Sequence, residues 1–409
     1  MSNVNDFEIK NGVLVKYHGG DTEVVIPEGV TGIGKYAFYN CNSLTNITIP
    51  ESVTRFGECA FYKCKLLTNI TIPDSVTEIE KSAFSDCESL TSITIPEGVR
   101  EIGNSAFSGC SLLTNITIPG SVTKIGDCAF SDCESLTSIT IPECVKKIGD
   151  RTFSGCKSLT NITIPKGVTK IGESAFSGCG SLTNITIPKS VTRIGGYAFD
   201  GCGSLTNITI PEGVTKIESY VFYSCGSLTN IMIPEGVTGI GKCAFECCSS
   251  LTNITIPESV TKIEKEAFND CWQLERVVVL GGVELSWYVF CNCDSLKTVI
   301  APKAWTCHSA AYYRGFFEMP QLFDDDKKAE YIKGMLSHQD VAIEALSDKI
   351  DTCEHFKPFV ESIKPEGELF DFLLKLTTSQ GKTELTAILL EYGNSSGNKK
   401  SPLDDLKWD

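Results

Sequence analysis

Cysteine and histidine are the side chains of this sequence that could bind a metal or attack a substrate. The chain has 20 cysteines and 4 histidines, and no histidine stands beside a nucleophile in a recognised motif. Cys291, Cys293, Cys307 and His308 supply the ligand types that zinc prefers, but their spacing matches no known zinc motif. The sequence therefore predicts no catalytic residue, no metal site and no cofactor.

Twelve of the cysteines recur at a fixed spacing. Each follows a phenylalanine by three residues, and successive phenylalanines lie 23 residues apart except for a final step of 22. The phenylalanines are Phe38, Phe61, Phe84, Phe107, Phe130, Phe153, Phe176, Phe199, Phe222, Phe245, Phe268 and Phe290. Equivalent side chains of stacked units point in parallel, whereas a disulfide needs converging Cβ atoms. We therefore interpret these cysteines, Cys41 through Cys293, as small buried side chains with free thiols, which favours a reducing compartment or an anaerobic source.

Charged side chains form one line that could bind a partner. Two residues after the core valine of each middle repeat stands a cation, at Lys124, Lys147, Lys170, Arg193 and Lys216. This predicts a local positive strip, although mixed surface charge also simply keeps a repeat protein soluble. The whole chain has 51 acidic and 36 basic residues and a net charge of −15, which argues against a nucleic acid or an anionic membrane as the partner.

Threonine and asparagine form a second repeated polar set. They alternate with isoleucine, so we expect them to face outward from short strands. The residues predicted to contact a partner are Thr140, Asn161, Thr163, Asn184, Thr186, Asn207 and Thr209, together with the cations from Lys147 to Lys216. A small-molecule pocket needs several different groups to converge. Uniform columns therefore favour an extended ligand, either a protein segment or a glycan.

Each 23-residue unit contains the elements that position these residues. In residues 182–204, Leu182, Ile185 and Ile187 predict a short strand, which Pro188 ends because proline has no amide hydrogen. A second extended stretch follows, and then about one helical turn that contains the phenylalanine and the cysteine. A unit this short cannot bury enough apolar surface alone, so neighbouring units must stack as a solenoid.

The pattern L-x-x-I-T-I-P-x-x-V-x-x-I-G-x-x-A-F-x-x-C resembles the BspA-type leucine-rich repeat, also called the Treponema pallidum type. The resemblance covers about residues 22–301, with departures at Phe56, Met232 and Leu280. It implies an α/β repeat solenoid, a curved right-handed superhelix of about twelve 23-residue coils with short strands on its concave face. It also implies a bacterial or protist protein, often an adhesin on the cell surface.

The sequence divides into four predicted segments. Alternating apolar residues flank Asn11-Gly12, which is a strong hairpin signal. Beyond the repeats, apolar residues recur every three or four positions between prolines and glycines, and residues 381–394 resemble the second helix of an ankyrin repeat. The segments are a β-hairpin cap at 1–26, the solenoid at 27–301, a small all-helical domain at 302–394 and a polar tail at 395–409.

These features predict a non-enzymatic protein-interaction scaffold that binds a protein or another extended ligand. The resemblance supports an alternative, an adhesin that binds host matrix or other cells, and an enzyme in the helical domain is a third hypothesis. No stretch reaches the ~20 apolar residues of a membrane helix, so we expect no membrane insertion. The amino terminus lacks the features of an export signal. That favours a cytoplasmic location over the cell surface or secretion.

Overall fold

The structure, a computed structural model, is the predicted solenoid of about 12 coils of roughly 23 residues. It describes residues 4–285, 289–300, 360–361, 363–365, 367–379 and 383–395. Contacts divide the chain into two units. Unit 1 comprises residues 1–252, 262–273 and 286–294, and unit 2 comprises residues 253–261, 274–285 and 295–409.

Each coil contains a first strand of two to four residues. In most first strands of unit 1 the isoleucine is buried and its polar neighbours are exposed, as the alternating pattern predicts. Strand β3 has Val24 at the buried position, and Val25 and Met232 are apolar residues at exposed positions. The first strands are β3 Glu23–Val25, β5 Asn46–Thr48, β7 Asn69–Ile70, β9 Ser92–Thr94, β11 Asn115–Thr117, β13 Ser138–Thr140, β15 Asn161–Thr163, β17 Asn184–Thr186, β19 Asn207–Thr209, β21 Asn230–Met232, β23 Asn253–Ile256, β25 Arg276–Val279 and β27 Thr298–Ile300.

A proline follows the first strand and starts a turn. The Pro188 carbonyl, for example, accepts a hydrogen bond of 3.0 Å from the Val191 amide. The chain then enters a second strand of two residues. The second strands are β4 Gly32–Ile33, β6 Arg55–Phe56, β8 Glu78–Ile79, β10 Glu101–Ile102, β12 Lys124–Ile125, β14 Lys147–Ile148, β16 Lys170–Ile171, β18 Arg193–Ile194, β20 Lys216–Ile217, β22 Gly239–Ile240, β24 Lys262–Ile263 and β26 Glu284–Leu285.

Equivalent strands of consecutive coils pair in parallel, with equivalent residues opposite each other. On the first-strand side of unit 1, β13, β15, β17, β19 and β21 form one sheet, and Ile162 lies opposite Ile185. On the second-strand side, β14, β16 and β18 form another. In unit 2, strands β23, β25 and β27 form a parallel sheet of their own. The same pairing therefore recurs from coil to coil, because successive coils are 23 residues long except at the last step of 22.

The twelve phenylalanines form the centre of the core. Phe107 and Phe130, for example, are 0% exposed, and their ring centroids lie 5.6 Å apart at an interplanar angle of 2°. Phe56, which departs from the repeat pattern, is also 0% exposed and packs edge-on against Phe61 at 5.7 Å. Stacking of like rings on their own copies is therefore confirmed as the basis of the fold.

The prediction of a helical turn around the phenylalanine is wrong. This side of the coil is a run of tight turns, in which Tyr36 and Asn40 have φ angles of 60° and 61°. The Cys41 amide donates to the Phe38 carbonyl within the turn at 3.2 Å, whereas the Phe38 amide donates to the Ala60 carbonyl of the next coil at 2.8 Å. An α-helix would use these amides internally, so the turns supply main-chain bonds between coils that a helix could not.

The predicted amino-terminal hairpin is confirmed. Strand β1 (Phe7–Lys10) pairs antiparallel with β2 (Val13–Tyr17), after a short 3₁₀ helix at Val4–Asp6. Asn11 and Gly12 between the strands both have positive φ, 51° and 77°, as a two-residue hairpin turn requires. Strand β2 also pairs in parallel with β4, and this pairing continues the coil ladder into the hairpin. The boundaries of the four predicted segments stay predictions.

Two described helices lie in the predicted helical segment of unit 2. They are α1 (Gly367–Ser379) and α2 (Thr383–Ser395), and they contact each other. Helix α2 covers most of the stretch that resembles an ankyrin helix, and that resemblance stays a prediction. Residues 360–361 and 363, from another predicted helix, are also helical, and the remaining predicted helices of the segment lie outside the described residues. The predicted tail starts at Ser395, which is the last residue of α2, and residues 396–409 lie outside the described residues. Within the described residues, no helix is both long enough and apolar enough to cross a bilayer.

Thr152 occupies a core position where most coils have alanine. It is 1% exposed, and its Oγ1 is the buried side-chain polar atom that lacks a hydrogen bond among the described residues. A buried hydroxyl without a partner costs about 1–3 kcal/mol. We therefore expect Thr152→Ala to raise the free energy of unfolding by about 1 kcal/mol, since it removes the hydroxyl and a methyl group together. Urea unfolding would measure this gain, and a loss of stability would contradict it.

Candidate binding surfaces

The predicted asparagine and threonine residues form two exposed columns on the first-strand sheet. Asn161, Asn184 and Asn207 are direct partners on β15, β17 and β19. Thr140, Thr163 and Thr186 are direct partners on β13, β15 and β17, and Thr209 continues the column on β19. All seven side chains are exposed. The structure therefore brings together these residues as a uniform, uncharged surface.

Hydrogen bonds along the same sheet hold this surface in place. The Asn184 side-chain amide donates to Thr183 Oγ1 at 3.4 Å, and the Thr206 hydroxyl donates to the Thr183 carbonyl of the preceding coil at 3.4 Å. The Asn207 amide donates to Thr206 Oγ1 at 3.3 Å. These bonds limit the rotamers of the polar side chains, so less entropy is lost when a ligand orders them.

The predicted cations lie on the second-strand side, in a different sheet from the asparagines and threonines. Lys147, Lys170 and Arg193 are direct partners on β14, β16 and β18. We call these three residues the basic column. Lys124 and Lys216 stand at the equivalent positions of β12 and β20. We predicted that all the candidate residues contact a partner as one set, whereas the structure divides them between two sheets.

Acidic neighbours compensate only some of these cations. Lys124 forms an ion pair with Glu101, Lys216 lies 3.1 Å from Glu218, and Lys147 lies 3.8 Å from Asp127. Within the described part of the chain, Lys170 and Arg193 have no carboxylate oxygen within the 4.0 Å of an ion pair. Like charges on directly opposite positions repel, so Lys170 and Arg193 give the basic column a local excess of positive charge.

The ladder cysteines are packing residues, as predicted, and their thiols also form hydrogen bonds. The Cys110 thiol donates to the Phe84 carbonyl of the preceding coil at 3.2 Å, and burial raises the pKa of Cys110 to about 12. Every described cysteine is free. Such thiols are poor nucleophiles at neutral pH because the thiolate is the reactive form.

Two of the four candidate zinc ligands, Cys291 and Cys293, are among the described residues. Cys293 is a ladder cysteine, and its thiol donates to the Phe268 carbonyl at 3.2 Å. The Cys291 thiol lies 3.6 Å from the Asn292 side-chain oxygen. Cys307 and His308 lie outside the described residues. Cys293 therefore has a structural role that accounts for its position.

A second cluster of metal-type ligands occurs on two neighbouring coils. Cys243, Glu246 and Glu266 offer ligand atoms within 4.8 Å of one another, and Glu246 is shared with a similar group at Cys247 and Asp270. The carboxylates already have donors, however. The Asn269 side-chain amide donates to both Glu246 and Asp270 at 2.9 Å, and Lys265 lies 3.0 Å from Glu266. These bonds explain the cluster without an ion.

The structure reveals a groove that was not predicted from the sequence. It has a volume of about 740 Å³ and crosses from the hairpin over the turns of the first three coils. Three tyrosines line it, and we call it the tyrosine groove. Tyr36 and Tyr39 meet edge to face at 5.7 Å, and Tyr39 stacks on Tyr62 at 5.6 Å. Tyr36 and Tyr39 are 44% and 49% exposed.

A signal for this groove was present in the sequence as departures from the repeat. The position after the ladder phenylalanine is tyrosine in the first two coils, at Tyr39 and Tyr62, but serine in the next five coils, from Ser85 to Ser177. The groove also needs Glu8 and Lys16 from the hairpin. The contact between hairpin and turn residues is visible only in the structure. Their separation in the sequence gives no indication that they meet.

Comparison with known proteins agrees with this geometry. A family model for the BspA type leucine-rich repeat region, built of six copies, matches residues 17–137, 77–205, 123–246 and 192–314. The chain belongs to the BspA-type leucine-rich repeat family. These matches extend over most of the chain, so the family assignment rests on the whole repeat array. No curated protein matches the sequence significantly.

Solved structures of leucine-rich repeat proteins are similar to this chain. A leucine-rich repeat protein from Bacteroides ovatus is 32% identical, with 72% of this chain and 91% of that chain covered and a TM-score of 0.50. One from Eubacterium ventriosum is 26% identical, with 72% and 85% covered and a TM-score of 0.50. The Treponema pallidum leucine-rich repeat protein is 32% identical, with 45% and 91% covered and a TM-score of 0.42.

Proposed function

We propose that this BspA-type protein is a non-enzymatic protein-interaction scaffold that binds an extended acidic segment of a partner protein. The observation that carries the proposal is the basic column, in which Lys147, Lys170 and Arg193 stand directly opposite one another on parallel strands. The leucine-rich repeat family supports a scaffold role, because such solenoids present broad surfaces to their partners.

The electrostatics of the basic column favour an acidic ligand. Neighbouring strands lie about 4.8 Å apart, and at that distance two like charges at the surface repel by a few tenths of a kcal/mol to about 1 kcal/mol. A carboxylate placed between Lys170 and Arg193 removes that repulsion and gains two charge-assisted contacts. The column occurs in a chain of net charge −15, so an acidic partner is guided to this strip rather than to the surrounding surface.

The repetition of the column favours an extended ligand. Five consecutive coils offer a cation at the same place on their second strands, from Lys124 to Lys216, and the first strands of these coils offer the asparagine and threonine columns in a separate sheet. A compact small molecule contacts one coil, whereas an extended segment contacts several coils in the same way. We therefore expect acidic residues of the partner to contact the basic column and its polar groups to contact the first-strand columns.

A peptide-binding assay tests the proposal. We expect a fluorescein-labelled peptide of alternating glutamate and glycine to bind the full chain, and to lose binding about tenfold or more when Lys147, Lys170 and Arg193 are all replaced by glutamate. Binding should also weaken as salt rises from about 0.15 M to about 0.5 M. Fluorescence anisotropy measures both effects.

The matched control carries the same change of charge elsewhere on the coils. Lys157, Lys242 and Lys265 lie outside both strand sheets, and their replacement by glutamate should leave peptide affinity within about twofold. Equal losses in the two triple variants would contradict the assignment of the site. Failure of the peptide to bind the unmodified chain at low salt would contradict the acidic partner itself.

A further inference from the structure

We propose that the tyrosine groove binds a short oligosaccharide. The groove lies on the hairpin and the turns of the first coils, away from the basic column and the first-strand columns. The inference therefore goes beyond the proposed function and does not depend on it. Its volume of about 740 Å³ falls within the ~300–1,000 Å³ that is typical of small-ligand sites.

Main-chain hydrogen bonding in the groove argues against a peptide added as a strand. The Tyr36 amide donates to the Glu58 carbonyl at 3.1 Å, and the Cys59 amide donates to the Lys81 carbonyl at 2.9 Å. These bonds between coils occupy main-chain groups that strand addition would need. A ligand must therefore be recognised through side chains.

The polar side chains of the groove both donate and accept. Lys16, Lys35 and Lys81 contribute three cations to the lining, and Glu8 and Glu58 contribute two carboxylates. Lys35 already lies 2.6 Å from Glu58. Glu8 likewise lies 2.7 Å from Lys10, so both carboxylates are partly neutralised but keep lone pairs that can accept. A sugar hydroxyl both donates and accepts and can bind either kind of group. The mixture of ammonium and carboxylate groups therefore favours a polyhydroxylated ligand.

The aromatic rings provide a surface on which a sugar ring can pack. The Lys35 ammonium lies 5.1 Å from the centre of the Tyr36 ring, and the Lys63 ammonium lies 5.2 Å from the centre of the Tyr62 ring. The face of an aromatic ring carries negative potential and therefore attracts positively polarised groups. The carbon-bound hydrogens on one face of a pyranose ring are polarised in the same sense, so they can pack on exposed tyrosine rings.

Ligand-observed saturation-transfer NMR and calorimetry with the full chain test the proposal. The probes are cellohexaose, maltohexaose and chitohexaose as neutral oligosaccharides, a heparin hexasaccharide, and a tyrosine-free peptide of the same length. We expect at least one neutral hexasaccharide to bind, and its affinity to change less than about twofold as salt rises from about 0.15 M to about 0.5 M. We expect Tyr39→Ala together with Tyr62→Ala to weaken this binding about tenfold or more.

Tyr223→Ala is the matched control. Tyr223 follows Phe222 as Tyr39 follows Phe38, so it has the same position in its coil, but it does not line the groove. Its replacement should leave affinity unchanged. Circular dichroism checks that all variants fold, and Glu58→Gln gives a second test, since it should weaken binding at least threefold through one lost acceptor.

Three results would overturn the proposal. The first is that no neutral hexasaccharide binds the unmodified chain at ~10 mM, which corresponds to a negligible affinity. The second is that the tyrosine variant and the Tyr223→Ala control bind a neutral hexasaccharide equally well. The third is binding of the heparin hexasaccharide or the peptide alone, which would assign the groove to a polyanion or to a protein.

Discussion

Replacement of Phe153 by alanine is expected to destabilise the solenoid by about 3–5 kcal/mol. Phe153 is 0% exposed, and its ring lies 5.7 Å from that of Phe130 and 5.6 Å from that of Phe176. The variant loses the transfer free energy of the ring and both stacking contacts, and the rigid neighbouring coils cannot close the cavity. Urea unfolding followed by circular dichroism measures the loss.

A second expected effect is a broader unfolding transition, because Phe153 lies in the interior of the array. Stability in a repeat array is approximately a sum of repeat stabilities and interfaces between neighbours. A cavity between the coils on either side weakens that coupling, so we expect the variant to unfold over a broader range of urea concentration. Phe290→Ala is the matched control, since Phe290 has the same position in its coil but is only half-buried. An equal loss in the two variants would contradict the stacked core.

The fold could be predicted because its determinants are local and are repeated. A buried β-branched residue, in most coils isoleucine between exposed polar residues, marks the first strand, and Phe107 meets Phe130 because both stand at the same place in the period. A departure from the pattern in one repeat does not prevent the prediction, because the other repeats show the pattern. The hairpin was predictable for a similar reason, since Asn11-Gly12 is a strong local turn signal.

The turns around the phenylalanine could not be predicted in the same way. The first left-handed position of these turns holds residues as different as Tyr36, Cys59 and Glu266, so no residue type marks it. The second, two residues after the phenylalanine, mostly holds asparagine, aspartate or glycine, a turn signal that the helical prediction overlooked. The conformation is determined by hydrogen bonds to the next coil, such as that from the Phe84 amide to the Ala106 carbonyl at 2.8 Å. A local pattern of apolar residues three apart suits a helical turn equally well, and only the neighbouring coil decides between them.

The candidate binding surfaces were predicted in part. Residue types and period identified the exposed columns, but not that Thr186 and Arg193 belong to different sheets, because the six residues between the two strands include a proline turn. The tyrosine groove was missed because it depends on the juxtaposition of the hairpin and the first three coils. Departures from a repeat, such as Tyr39 and Tyr62 in place of serine, are therefore the positions at which individual function is best sought.

A rise in pH above about 9 is expected to unfold the solenoid steeply, through the ladder cysteines. The ten ladder thiols Cys64, Cys87, Cys110, Cys133, Cys156, Cys179, Cys202, Cys225, Cys248 and Cys271 are 0% exposed. Burial raises the pKa of Cys110 and of Cys179 to about 12, and it raises the pKa of Cys133 and Cys202 as well. The same thiols ionise near pH 8.5 in an unfolded chain.

The sign of the effect follows from the protons that each state binds. Above about pH 8.5 the unfolded chain releases thiol protons while the folded chain keeps them, so the free energy of unfolding falls as pH rises toward the folded pKa. Below that pH the contribution of the thiols is fully present. Above about pH 8.5, each buried thiol lowers the free energy of unfolding by about 1.4 kcal/mol for every pH unit. The ten buried thiols together cost up to ~14 kcal/mol per pH unit if the whole array unfolds at once.

Single cysteine variants separate this effect from the titration of other groups. Cys110→Ala should destabilise the chain by about 1–3 kcal/mol at pH 7, because the Phe84 carbonyl loses its thiol donor. That deficit should shrink by about 1.4 kcal/mol for each pH unit above 9, since the variant has one thiol fewer to ionise on unfolding. Urea unfolding at several pH values under reducing conditions measures both terms.

Cys144→Ala is the control, because Cys144 is exposed and its removal should leave the pH dependence unchanged. Parallel stability curves for Cys110→Ala and the unmodified chain would show that the buried thiols do not control unfolding at alkaline pH.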